Sequence, residues 1–73
     1  MKMVMNEVDE ARRQYLAQAL QESGVKPIAL ARQAGVTKQW LSDALAGNRA
    51  ISENRLESLL RAIEALAERG GAN

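Results

Sequence analysis

The stretch that decides the fold runs from residue 27 to residue 49 and reads PIALARQAGVTKQWLSDALAGNR. Ala and Leu dominate two short segments, about 27–34 and 38–46, which predicts two helices. Pro27 suits the first position of the first helix, because its missing N–H would be unpaired there. The three residues 35–37 are Gly, Val and Thr. Gly is a common helix terminator and Thr a good N-cap, so these residues predict a tight turn between the helices.

Two longer helical segments flank this stretch. The first covers about 9–23 and carries one apolar stripe, and the second covers about 53–69 with Leu and Ile at steps of three and four. We expect frayed ends at 1–6 and 70–73. Residues that favour strands are few, so the sequence predicts a single all-α domain of four helices over 1–73.

The composition excludes several classes of function. The chain has 73 residues, ten Lys and Arg against nine Asp and Glu, and no His or Cys. Without Cys there is no disulfide framework or thiolate nucleophile, and without His the usual zinc sites and Ser-His pairs lack a member. We therefore expect no enzyme, no metal, no cofactor and no small-molecule ligand. No apolar run approaches the ~20 residues of a membrane span, so we expect a cytoplasmic protein without a membrane partner.

Two short helices that meet at a three-residue turn form the helix-turn-helix arrangement. At these residues the chain resembles the lambda-repressor-like family, also called the Cro or XRE type. The resemblance covers about residues 12–67, and Pro27 departs from it where the family often has Gln. Many members have a fifth helix, whereas we expect four helices in this sequence. The matching residues are Leu30-Ala31, Gly35-Val36-Thr37, Leu41-Ser42, and Gly47 followed by Arg49.

The resemblance implies that the second helix of the motif reads DNA bases. The implied base contacts are Lys38, Gln39, Ser42 and Asp43. A Lys can donate to guanine, a Gln can pair with adenine, and an Asp can accept from cytosine or discourage wrong docking. The alternative is that these four residues form an ordinary solvated helix face.

The resemblance also implies contacts to the DNA backbone. The implied residues are Thr37, Asn48 and Arg49, while Trp40 and the basic residues Lys26, Arg32 and Arg55 are further candidates for contacts to the phosphates. Isolated basic residues are often merely solvated, which is the alternative for Lys26, Arg32 and Arg55. Trp40 has two open roles, since its ring can pack on the first helix or lie along the DNA backbone. We expect Tyr15 to pack in the core with its hydroxyl at the surface.

The last helix carries apolar residues beyond those that a small core needs. Ile63, Leu66 and Ala67 lie past the short helices that they would cover, so we expect them to form a homodimer interface. Core packing is the alternative for these three residues. Met3, Val4 and Met5 either extend that interface or, as we prefer, belong to a frayed end.

Taken with the resemblance, the charge pattern predicts a regulator that binds double-stranded DNA. Residues 23–55 carry a net charge of +3, while 1–22 and 56–73 carry −1 each. We expect a bacterial or phage-encoded repressor that binds an inverted-repeat operator as a homodimer, including an operator of its own gene. Phage repressors, antitoxins and anti-CRISPR-associated regulators share this format. The alternative is a protein-interaction module or inhibitor that keeps the helix-turn-helix scaffold without binding DNA, through a protein partner that stays unknown.

Overall fold

The computed structural model describes residues 7–69, and within that range it contains four helices and no strand. They are α1 (Glu7–Ser23), α2 (Pro27–Ala34), α3 (Lys38–Leu45) and α4 (Glu53–Glu68). The predicted all-α fold class is confirmed. Compared with the predicted bounds, α1 begins two residues earlier, and α3 and α4 each end one residue earlier. The predicted frayed ends, 1–6 and 70–73, lie outside the described residues.

Local sequence signals set the boundaries of the two central helices. Gly35 follows α2 with φ of 74°, in the left-handed region that residues with a Cβ rarely adopt. The Thr37 hydroxyl accepts the backbone N–H of Trp40 at 2.9 Å, which satisfies one of the unpaired donors at the start of α3. Ser52 does the same for Arg55 at the start of α4, at 3.1 Å. Gly35 and the Thr37 cap keep the turn between α2 and α3 short, whereas the Ser52 cap fixes the start of α4.

The core lies where the four helices meet. Its fully buried side chains come from every helix and from the loop before α4, namely Leu16, Leu30, Leu41, Ile51 and Leu59. Both α3 and α4 pack against α1 and α2. Because α3 contributes only one face to this core, its opposite face stays open to solvent. No helix of the described part of the chain is long and apolar enough to cross a membrane.

Two expectations about the core need correction. Tyr15 is 58% exposed instead of packed in the core, because the buried Leu16 and Leu20 set the inward face of α1 and Tyr15 lies a quarter turn away from it. Ile63 and Leu66 are buried, at 5% and 7% exposure, in the same cluster as the buried residues of α2. Their side chains are therefore used inside the single chain.

Two arginines of α1 hold the segment that joins α3 to α4. Nη1 of Arg12 donates to the carbonyl of Ile51 at 3.0 Å, and Nη1 of Arg13 donates to the carbonyl of Leu45 at 3.3 Å. Arg13 also donates to both carboxylate oxygens of Glu10. These bonds fix the C-terminal end of α3 against α1, and so help to set the direction in which α3 points.

Candidate nucleic-acid interface

The outer face of α3 collects the side chains that the sequence marks for base contacts. Lys38, Gln39 and Ser42 are exposed, and Asp43 is half-buried, while Leu41 of the same helix is fully buried. Eight residues make two turns of helix, and this short element presents polar donors and acceptors over its open face. An α-helix of this width fits the major groove of B-form DNA.

Gln39 is held in place at the centre of this face. Its amide Nε2 donates to Oδ1 of Asp43 at 2.9 Å, one turn further along α3. An amide has two N–H donors and a carbonyl acceptor, so one donor and the acceptor stay available. This is the pair of groups with which a Gln side chain recognises adenine. Asp43 therefore orients Gln39 in the free protein.

Lys38 and Ser42 lie on the flank of α3 that faces the start of α2. They border an apolar cleft of about 440 Å³, whose other lining residues are Pro27, Leu41, Leu45 and Ala46. Pro27 occupies the position at which the family often has Gln, and it offers no hydrogen-bond donor. The polar groups on this flank are therefore those of Lys38 and Ser42.

Trp40 lies on the opposite flank of α3, since it is two residues and about 200° from Ser42. Its ring is half-buried and packs against the core cluster. The guanidinium carbons of Arg49 and Arg55 lie 6.0 Å and 5.4 Å from the ring centroid, within cation–π distance. The ring thus contacts both the core and two cations. Arg49 comes from the loop after α3, and Arg55 comes from α4.

The remaining residues marked for the DNA backbone are not all brought to one place. Asn48 is exposed in the loop after α3, next to Arg49. Lys26 and Arg32 border a separate groove between α2 and the end of α4, together with Arg69. The Thr37 hydroxyl is used to cap α3. Arg49, Asn48 and Trp40 therefore flank the open face directly, whereas Lys26 and Arg32 lie along α2.

The charges around the motif are free to meet an anion. The ion pairs within residues 7–69 join Arg12 to Asp9, Arg13 to Glu10 and Arg61 to Glu57. They all lie on α1 or on the outer side of α4. In contrast, the cations of residues 23–55 form no ion pair with any carboxylate of residues 7–69. These cations are Lys26, Arg32, Lys38, Arg49 and Arg55. The ion pairs of the described residues thus lie away from α3, and the cations beside α3 are left without an ion-pair partner.

The pKa of the Glu10 carboxylate departs clearly from its ordinary value. Hydrogen bonds from Arg13 and then from Gln14 lower the pKa of Glu10 from 4.5 to about 2. The same contact raises the pKa of Arg13. Arg13 of this pair also donates to the Leu45 carbonyl, so the pair helps to hold the C-terminal end of α3.

The described residues form a helix-turn-helix domain. It has four helices with a tight turn between α2 and α3, and α3 has an open polar face that is bordered by unpaired cations. In agreement, the model of a family described as a helix-turn-helix domain matches residues 13–69. The chain belongs to this family, in keeping with a Cro or XRE-type domain. Neither a search of curated proteins nor a search of solved structures found a match. The domain indicates a DNA-binding regulator in general, and its family is typically non-enzymatic.

The sequence predicts the open face of α3, but it does not predict the contact between Arg55 and the ring of Trp40. Arg55 is 15 residues from Trp40 in the chain, and from the sequence alone it is one of several separate candidates for a phosphate contact. It reaches the ring because the loop after α3 brings the first turn of α4 close to Trp40. A sequence signal was available in Ser52, whose cap places Arg55 in the first turn of α4. That signal locates the residue on its helix, but the contact depends on how the loop folds.

Proposed function

We propose that this protein is a sequence-specific repressor that inserts α3 into the major groove of double-stranded DNA. The observation that carries the proposal is the open face of α3, where a pre-oriented Gln39 lies between Lys38 and the two cations on Trp40. With its polar groups exposed and its cations unpaired, this face suits a polyanion that also presents hydrogen-bonding base edges.

Base recognition is assigned to four residues of α3. Gln39 pairs with adenine through its free amide N–H and its carbonyl, and Lys38 donates to guanine O6 or N7. Ser42 reaches a base or a phosphate from the flank nearest α2. Asp43 contributes mainly by holding Gln39, and it also discourages docking on acceptor-rich base edges.

Phosphate contacts flank these base contacts. Arg49 and Asn48 approach the backbone from the loop after α3, and the backbone N–H groups at the start of α3, next to Thr37, face a second phosphate. Lys26 and Arg32 approach from α2, and the indole N–H of Trp40 offers a further donor. These contacts fix the position of α3 in the groove and supply most of the salt dependence.

The repressor is proposed to act as a homodimer on an inverted repeat, with two α3 helices about 34 Å apart. The sequence predicts Ile63, Leu66 and Ala67 at the dimer interface. Of these, only Ala67 is exposed, because Ile63 and Leu66 are buried in the core. We propose that the dimer contact is formed by Ala67 together with other exposed groups at this end of α4. Light scattering at micromolar concentration tests this part: a dimer mass supports it, and a monomer mass in the presence of operator DNA contradicts it.

In the cell, the proposed regulator acts in the cytoplasm of a bacterium, or is encoded by a phage that infects one. Its action is by occupancy, because the described residues form one small domain around one core. Autoregulation of its own gene fits this format. The distinction between a phage repressor and an antitoxin rests on the gene that the operator controls.

A second candidate function is a protein-interaction module. It is favoured by Val8 and Tyr15, which are 55% and 58% exposed and lie two turns apart on one face of α1. An apolar patch that is contiguous on the surface is typical of a contact site, and Val8 and Tyr15 would be two members of such a patch. The two functions differ in the residues that they require, since DNA binding depends on α3 and protein binding on α1.

Binding of a fluorescently labelled 30-base-pair duplex, followed by anisotropy, tests the proposed function. We expect wild-type protein to bind with an affinity that falls steeply between 50 and 200 mM salt. Lys38→Ala should weaken binding, whereas Tyr15→Ala should leave it unchanged. Absence of binding at low salt, or equal losses in both variants, would contradict DNA recognition through α3.

A further inference from the structure

We propose that Trp40 is a positioning residue that holds the guanidinium groups of Arg49 and Arg55 as a two-cation clamp for the DNA phosphates beside α3. The inference rests on the proposed function, because it names the ligand of this cluster as the backbone of bound DNA. It goes beyond that function in two respects. It assigns Arg55 to the same phosphate site as Arg49, and it gives Trp40 the role of positioning both arginines in addition to donating its indole N–H.

The geometry brings three elements of the chain to one ring. Trp40 belongs to α3, Arg49 to the loop after it, and Arg55 to the first turn of α4. The ring packs against the core cluster, so it is a fixed platform, while both arginines are exposed. Their guanidinium carbons lie 6.0 Å and 5.4 Å from the same centroid. Two flexible side chains are thus gathered at one place before any ligand arrives.

The spacing of the two cations suits a nucleic-acid strand. Because both lie within 6.0 Å of one point, their guanidinium carbons are at most about 11 Å apart. Along one strand of B-form DNA the phosphates recur every ~3.4 Å of helix axis. This upper limit is compatible with contact to one phosphate or to two neighbouring phosphates of the same strand.

The two guanidinium groups also have unused binding capacity. Across residues 7–69, neither Arg49 nor Arg55 forms an ion pair, and neither side chain donates a hydrogen bond. Contact with the π-face of an indole attracts the positive charge and leaves the N–H donors unpaired. Two like charges held together without a counter-charge favour an anion, and a phosphate accepts two parallel N–H bonds from each guanidinium.

The cluster lies at the edge of the recognition face. Trp40 and Ser42 occupy opposite flanks of α3, so the clamp borders Gln39 on the side away from the Pro27 cleft. With α3 in the groove, this flank faces the wall of the groove, where the phosphates are. The clamp therefore fixes how α3 is rotated about its own axis, and with it the position of Gln39 over the bases.

Salt-dependent binding of a labelled 30-base-pair duplex tests the clamp. We expect Arg49→Gln and Arg55→Gln each to reduce the slope of log K against log salt by ~0.9, as the loss of one phosphate contact does. Arg61→Gln is the matched control, because Arg61 is an exposed arginine of α4 that already pairs with Glu57. Its slope should equal that of the wild type.

Trp40→Leu tests positioning, since it removes no charge. We expect it to weaken binding about 2- to 5-fold, in line with cation–π contacts of ~0.5–1 kcal/mol. In the Trp40→Leu background, Arg49→Gln and Arg55→Gln should cost less than in the wild type. A merely structural role of the ring would lower the melting temperature and leave these arginine costs unchanged, which would overturn the positioning role.

The fluorescence of Trp40 gives a second measurement that needs no substitution of the ring. Trp40 is the single Trp of the chain, so its emission reports this site alone. Addition of unlabelled duplex should shift the emission in wild-type protein and much less in the Arg49→Gln, Arg55→Gln double variant. Slopes of both single variants equal to the Arg61→Gln control, with wild-type binding intact, would overturn the clamp alone. Failure of the wild type to bind any duplex would overturn the clamp and the proposed function together.

Discussion

Gln39→Ala is expected to cost DNA affinity without costing stability. The Gln39 side chain is exposed, and its one hydrogen bond in the described structure goes to Asp43 at 2.9 Å. Exposed side-chain pairs of this spacing contribute only ~0.2–0.5 kcal/mol to a helix, so the free energy of unfolding should change by no more than that. A bidentate base contact, in contrast, discriminates by ~1–3 kcal/mol. The expected loss of operator affinity is therefore about 5- to 150-fold.

The assay for this variant is anisotropy with an operator duplex and with duplexes that carry one changed base pair. We expect Gln39→Ala to bind the operator more weakly and to lose preference at one position of each half-site. Gln33→Ala is the matched control, because Gln33 is an exposed Gln on α2, outside the face of α3. Equal losses in the two variants, or a loss that is uniform over all base changes, would refute base recognition by Gln39.

Further predictions concern the scaffold that carries α3. Ile63→Lys should unfold the domain, at a cost above ~4 kcal/mol, because it buries an unpaired charge, whereas Ala67→Lys at an exposed position should melt like the wild type in circular dichroism. A folded, merely monomeric Ile63→Lys would show that this residue serves an interface. Thr37→Ala should lower the free energy of unfolding in urea by ~0.5–2 kcal/mol, through loss of the α3 cap, and an unchanged urea midpoint would contradict that role. Glu10 has its pKa lowered by Arg13, so its stabilising contribution is complete above pH 4.5 and is lost as the pH falls towards 2. Glu10→Gln should flatten the melting temperature over this window, and a pH profile identical to the wild type would contradict it.

The helices and their boundaries could be predicted because their causes are local. Pro27, Gly35 and Thr37 each act on the chain within one turn, so their effects are visible in the sequence. Which residues face inward is a different matter, because it depends on the angle at which helices cross. Tyr15 continues an apolar stripe in the sequence, yet α1 turns that edge of the stripe to solvent.

The candidate site, like the helices, could be predicted only where its causes are local in the sequence. The open face of α3 follows from its own periodicity and from the resemblance at residues 37–42. The hydrogen bond between Gln39 and Asp43 could also be predicted from the sequence, since residues four apart on a helix are neighbours. The contact of Arg55 with Trp40 was not, because it requires the loop after α3 to return α4 to the same side.

Selection of bound duplexes from a random-sequence pool tests the central claim most directly, since it asks whether the protein reads DNA sequence. The account predicts enrichment of an inverted repeat whose half-sites are centred 10–10.5 base pairs apart, with an adenine contact that Gln39→Ala relaxes. A pool that stays random after repeated rounds, or an enriched motif that is identical for wild type and Gln39→Ala, would contradict recognition through α3.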